Sequence, residues 1–220
     1  MKKIDDFEEF NKVIQRHKNK AGNYFYLKSK TQNLIDDNRL YYENCNGNLL
    51  IFEKCSLFYR MFFFLENEDF SDGLAHIDKS VVVELPFNGS LSTDGVIQEK
   101  ILLSNGFELA RQSSQMTVRP QNLSGYNDAK DPRLTFDYGV MDEIPQYMEM
   151  LYKTFNPLFA FLPDERDMAR LINEKCILCA YYDGKLAGIL NAEPFNGNVW
   201  VRHIAISNDF RGMGIGGRLL

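Results

Sequence analysis

The fold turns on "RGMGIGG", Arg211 to Gly217. Read as Gly212, Gly214 and Gly217, it fits G-x-G-x-x-G, a fingerprint of dinucleotide-binding folds. Read as Arg211, Gly214 and Gly216, it fits R-x-x-G-x-G, a loop that cradles a diphosphate. A dinucleotide fingerprint occupies the tight turn between the first strand and first helix of a βαβ unit, with an acidic residue about 20 positions later for the ribose. Here the five residues "NDFRG" separate the preceding strand from Met213, and no acidic residue follows up to Leu220. The segments before the loop also read as antiparallel hairpin strands. The diphosphate reading has a physical basis: glycines let a backbone approach an anion without a Cβ in the way, and successive N–H groups converge on phosphate oxygens. "GIGGRLL" then opens a helix whose free amides favour negative charge, and Arg211 adds a cation.

Working backwards, "VWVRHIAIS" reads as the strand that feeds this loop, after the turn "PFNGN". "ILCAYYDGKLAGILNAEP" is two apolar runs joined by Asp183-Gly184, a strong hairpin signal. "PDERDMARLINEK" reads as a helix, with acidic residues near its start and Met168, Leu171 and Ile172 on its inner face. Before it, Ile144, Met148, Leu151, Tyr152 and Phe155 recur at helical spacing, with Pro145 at a tolerated early position. "RLTFDYGV" alternates as a strand. The expected order is strand, helix, helix, three strands, loop, helix.

On these residues, "VRHIAISNDFRGMGIGGRLL" resembles the acetyl-coenzyme A motif of the GNAT superfamily of N-acetyltransferases, and the element order from Leu134 onward is similar to that family. The resemblance implies an α/β (α+β) fold with a mixed, mainly antiparallel sheet flanked by helices. It implies that backbone groups of Ile204, Ala205 and Ile206 pair with the pantetheine arm. The loop Arg211, Gly212, Met213, Gly214, Ile215 and Gly216 would hold the pyrophosphate. Acetyl-CoA is then a co-substrate, no metal is required, and the acceptor is a primary amine of a small molecule or peptide that attacks the thioester directly. Candidate bases are Glu193, ending one central strand, and His203 on the next; an unperturbed imidazole titrates near 6.5. A hydrogen-bonded structural histidine is the simpler role for His203, and a solvated carboxylate for Glu193. Trp200 and Arg202 share a strand face that would line an acceptor cleft. A non-catalytic CoA-binding or regulatory module is the alternative function. The family continues beyond this helix with further strands, so the chain is expected to be a fragment that binds CoA weakly and acetylates poorly.

The first half is organised differently on the page. Phe7, Phe10, Val13 and Ile14 suggest an opening helix; "RLYYENC", "NLLIFEK", "SLFYRMFFFLE" and "SVVVELPF" read as strands, the first two joined by Asn46-Gly47. "GVIQEKILLSNGFELARQSSQMTVRP" reads as a helix stopped by Asn105-Gly106, then one or two strands, and it resembles a GNAT C-terminal tail. Residues 1–120 are expected to form a smaller α+β domain with a structural or substrate-shaping role, and the resemblance of its tail implies as a second reading a degenerate GNAT copy without its phosphate loop. Residues 121–133 are a polar linker before the acetyltransferase domain at 134–220.

Composition narrows the class. With 220 residues, 45% of them hydrophobic, the chain can build two small domains, and a net charge of -5 argues against nucleic-acid binding. "IDDFEEFNK" after "MKK" is not a secretory signal, and no run approaches the ~20 apolar residues of a membrane span, so a cytoplasmic protein is expected, with a homodimer as the oligomer considered. Cys176 and Cys179 form C-x-x-C inside an apolar run and, like Cys45 and Cys55, are expected to pack rather than react or bind metal. His17 and His76 have no constellation around them.

Overall fold

The computed structural model describes residues 1–24, 28–85, 93–111, 131–195 and 197–220. Two compact units divide the chain, Met1–Gln112 and Ser113–Leu220. Most of the expected linker 121–133 and the strands expected after Phe107 lie outside the described residues.

In the second unit, strand β7 (Leu134–Tyr138) precedes helices α4 (Ile144–Thr154), α5 (Pro157–Ala160) and α6 (Glu165–Asn173). Strands β8 (Ile177–Tyr182), β9 (Lys185–Phe195) and β10 (Asn198–Ile206) follow, and then α7 (Ile215–Leu219). The sheet order is β7-β8-β9-β10, antiparallel throughout. Asp183 and Gly184 both take positive φ, 48° and 73°, and Tyr182 pairs directly with Lys185. That is a two-residue hairpin turn whose backbone twist matches the flanking strands. Asp164 caps α6 by accepting the Asp167 amide at 2.8 Å.

One face of this sheet packs Cys179, Ile189 and Ala205 under α4 and α6, through Tyr147, Leu151, Met168 and Ile172. The other packs Leu134, Ala180, Ala187 and Leu190 against Ile215 and Leu219 of α7. The helix spacing needs one correction. Tyr152 lies at the exposed limit, whereas Tyr147 is fully buried, its hydroxyl bonding to Glu143 and accepting the Val140 amide. Tyr147, Leu151 and the partly buried Ile144 and Met148 form the stripe, and position 152 falls beyond it. The short helix α5 also interrupts the expected direct step from α4 to α6, because Asn156 caps it and Phe161 ends it in the left-handed region.

The first unit runs β1 (Lys2–Lys3), α1 (Phe7–His17), β2 (Ala21–Gly22), α2 (Lys28–Asp36), β3 (Leu40–Cys45), β4 (Asn48–Lys54), β5 (Phe58–Leu65), β6 (Ser80–Val83) and α3 (Thr93–Ser104). Its sheet order is β1-β3-β4-β5-β2, and β6 pairs parallel with β5. Apart from β2, the units repeat one topology: a strand, helices, then three antiparallel strands, with the first strand pairing beside the second. Among the described residues this sheet has six strands and that of the second unit four. The apolar run around Arg60 is the buried strand β5 as expected. Helix α2 escaped the sequence reading because its polar segment "KSKTQNLID" buries only Thr31, Leu34 and Ile35.

The helix correction is measurable. Leu151→Ala should cost about 2–5 kcal/mol in urea unfolding, while Tyr152→Ala should stay within about 0.5 kcal/mol, as exposed positions do. Equal losses at both positions would refute the assigned stripe.

Candidate active site

Strand β10 carries the site, and a β-bulge decides what it presents. Val201 pairs with Ala192, but His203 pairs with Asn191, so Arg202 is an extra residue without a register partner. Directly opposed residues of an antiparallel pair share a face. Val201 therefore sits with Ala192 on the α7 side, while His203 sits with Asn191 on the side of α4 and α6. In a regular strand Val201 and His203 would share one face. The bulge instead brings His203 onto the face of Trp200, which opposes Glu193.

On that face, the Arg202 guanidinium stacks 3.8 Å from the Trp200 ring centroid, and its Nε lies 3.5 Å from Glu193 Oε1. The pair is partly exposed, so its contribution to stability is at most about 1 kcal/mol. Trp200 and Arg202 do share a face, in contact. Glu193 remains half-buried and reachable by solvent.

His203 is enclosed. Its relative exposure is 8%, its ring lies edge-on to Phe155 at 5.5 Å, and its Nε2 sits 2.7 Å from the Ala160 carbonyl oxygen. A carbonyl only accepts, so Nε2 carries the proton and the neutral ring leaves Nδ1 as a bare acceptor. Among the described residues Nδ1 has no partner, and neither has Oδ1 of Asn191 on the facing strand, which is 2% exposed. Burial pushes the imidazole below 6.5, and Arg202 pushes the same way, against the Ala160 bond and Glu193. Asn191, Phe155 and Ala160 were not legible as site residues, because only the bulged register and the α5 turn bring them to His203.

At the C-terminal end of β10, Ile204 and Ile206 pack on the α7 side and Ala205 on the other. Close approach at this end needs Gly188: a Cβ there would lie 2.5 Å from Ile206 Cδ1 and 2.9 Å from the Ala205 carbonyl. A 3-10 turn at Asn208–Phe210 leads into the glycine loop. Gly212 and Gly214 take φ of 81° and 74°, the left-handed region that side chains disfavour, and a Cβ built on either meets nothing within 4 Å. The loop is thus open space bordered by backbone. Among the described residues, the amides of Gly214, Ile215 and Gly216 have no side-chain or loop acceptor. Arg211 stands at the loop's start, its Nε donating to the Ile206 carbonyl at 3.3 Å.

The four cysteines are free thiols. Burial is the main cause raising each of their pKa values, to about 12 at Cys55, which suits packing rather than nucleophilic chemistry.

The same residues are matched by a known family. Residues 144–220 fit the model of the acetyltransferase (GNAT) family. That stretch is similar to GNAT acetyltransferases over about a third of the chain. The chemistry of that family is acyl transfer, and the first unit repeats the strand order of the second.

Three solved structures are similar to part of this chain. Ard1 from Thermoplasma volcanium is 13% identical with a TM-score of 0.35, covering 40% of this chain and 58% of that one. N-acetylglutamate synthase from Neisseria gonorrhoeae, complexed with coenzyme A and N-acetyl-glutamate, is 17% identical with a TM-score of 0.37, covering 41% and 22%. The aminoglycoside acetyltransferase meta-AAC0020 from an uncultured soil metagenomic sample, in complex with sisomicin, is 17% identical with a TM-score of 0.30, covering 40% and 66%. The first two matches span less than two thirds of their chains. No curated protein matches the chain.

The His203 environment sets a pH signature. Its folded pKa is depressed, so the stability it protects is complete above the unfolded value near 6.5 and declines as pH falls from there toward the folded value. NMR should find His203 as the Nε2–H tautomer, titrating below 6.5. The fall in unfolding free energy between pH 7.5 and 5.5 should shrink in His203→Gln. A His203 ring titrating at or above 6.5 would contradict this environment.

Proposed function

We propose that the domain is an acetyl-CoA-dependent N-acyltransferase that moves an acetyl group to a primary amine of a small molecule or peptide. The observation that carries the reading is the family match running through an R-x-x-G-x-G loop whose two left-handed glycines border open space. In this reading, backbone groups of Ile204, Ala205 and Ile206 hold the pantetheine arm, and amides of Arg211, Gly212, Met213, Gly214, Ile215 and Gly216 hold the diphosphate. Arg211 exchanges its bond to the Ile206 carbonyl for a phosphate oxygen. Charge-assisted bonds of that kind are the stronger ones.

The amine attacks the thioester carbonyl, the amide C–N bond forms as the C–S bond breaks, and coenzyme A leaves as a thiolate protonated from solvent, while the amine proton leaves through water to a carboxylate. Of the two candidate bases, Glu193 fits better, because solvent reaches its carboxylate while His203 is enclosed by Phe155 and Ala160. His203 then fixes the α5 turn against β10. Trp200 and Arg202 border the acceptor on the same face. The acidic balance of the chain suits a cationic acceptor and a cytoplasmic protein with neither nucleic-acid nor membrane partners. A homodimer is compatible with this reading.

Calorimetry with acetyl-CoA, followed by a thiol-release assay over an amine panel, tests the proposal. Arg211→Ala should weaken binding about 10- to 100-fold, the worth of a charge-assisted bond. Gly214→Val should abolish binding, since it strains the turn and fills the space before the amides. Unchanged affinity in both variants would refute the loop assignment, and binding without turnover on any amine would favour a regulatory module. Glu193→Gln should lower kcat with little change in the affinity for acetyl-CoA.

A further inference from the structure

We infer that the first unit is a self-occupied copy of the coenzyme site, so that the chain takes one coenzyme A, in its second unit; this rests on the reading of the β10 edge and glycine loop just given. By topology, β5 is the counterpart of β10, the last of three antiparallel strands. Where the C-terminal end of β10 pairs only with β9 among the described residues, the same end of β5 is taken on both sides. β4 covers one side. On the other, β6 pairs with Phe58 to Met61 and then gives way to Ala21 and Gly22, which pair with Leu65 and Phe64.

Asn23 closes the fork between them. Its amide donates to the Phe63 carbonyl at 3.2 Å, its Oδ1 accepts the Phe63 amide at 2.8 Å, and its Nδ2 donates to the Glu84 carbonyl at 3.1 Å. The side chain is 6% exposed. Gly22 permits the approach: a Cβ there would lie 2.6 Å from Phe64 Cδ1 and 2.7 Å from the Phe63 carbonyl oxygen. The segment Ala21–Asn23 thus occupies, as peptide, the edge that a pantetheine arm takes along β10.

The following loop is closed as well. Asn48 Oδ1 accepts the amides of Glu66 and Asn67 at 2.8 and 2.9 Å, Asn105 Oδ1 accepts Phe70, and Asp69 Oδ1 accepts Ser71. Where the second unit leaves amides open beside Arg211, the first has spent them on its own side chains and adds the carboxylates of Glu66, Glu68, Asp69 and Asp72. A diphosphate would meet filled donors and like charge.

Calorimetry of the whole chain with coenzyme A should give one equivalent for the wild type and none for Gly214→Val. Two equivalents, or one surviving in the variant, would overturn the inference. Hydrogen exchange separates it from the reading beneath it. The amides of Asn23, Phe63, Glu66 and Asn67 should be protected without ligand and unchanged by coenzyme A, whereas those of Gly214 to Gly216 should gain protection. Fast exchange at Asn23 and Phe63 in the free protein, or a ligand response there, would overturn it. No heat in the wild type with those amides protected would instead sink the coenzyme reading of the second unit alone.

Discussion

The backbone edge at the C-terminal end of the fourth main strand governs both units. A strand edge is a row of donors and acceptors that must find partners, in protein, water or ligand. In the first unit the partner is the chain itself, three residues long and locked by Asn23, whose side chain makes two hydrogen bonds and whose backbone amide makes a third. In the second unit the corresponding edge, at Ile204 to Ile206, has β9 on one side and only the Arg211 Nε reaching its last carbonyl. Among the described residues, one topology thus has this edge covered by Ala21–Asn23 in the first unit and paired only with β9 in the second.

Most of the strand framework could be read in the chain because its turns are chemically explicit. Asn46-Gly47 and Asp183-Gly184 place both central residues at positive φ, which few other dipeptides tolerate, so register followed from composition. The glycine loop was readable for the same reason: Gly212 and Gly214 sit in the left-handed region that their spacing implies. Helix faces were less secure. Tyr147 and Tyr152 lie five apart on a helix with several apolar residues, and only packing against Met168 and Ile172 decides that Tyr147 is inside.

What escaped depends on contacts distant in sequence. Ala21–Gly22 is a two-residue strand whose partners lie more than 40 positions away, and nothing local in "AG" announces it. Asn23 looked like any polar residue in a loop, yet it is buried and fully engaged. The bulge at Arg202 is the most consequential omission. Side-chain direction alternates with period two, so one inserted residue transfers everything beyond it to the other face. Simple alternation along "VWVRHIAI" sets His203 with Val201, whereas the folded strand sets it with Trp200 and Glu193.

Under the proposed reaction, that transfer also separates the two candidate bases. His203 has the more suitable unperturbed pKa of the two candidates, although a hydrogen-bonded structural histidine was the simpler expectation from sequence. Once the bulge turns it under the α5 segment, its Nε2 proton is committed to the Ala160 carbonyl and burial opposes its protonation. A group that resists gaining a proton and is shut from solvent is poorly placed to collect one from an incoming amine. Glu193 stands at the open end of the same face, beside a guanidinium that it can keep oriented. In the proposed reaction access would outweigh intrinsic basicity, since a proton that travels through water needs a terminus that water can touch. The bulge thus does two things with one residue: it anchors the helical layer through His203, and it leaves Arg202 free to lie across Trp200 and hold the carboxylate at the mouth of the site.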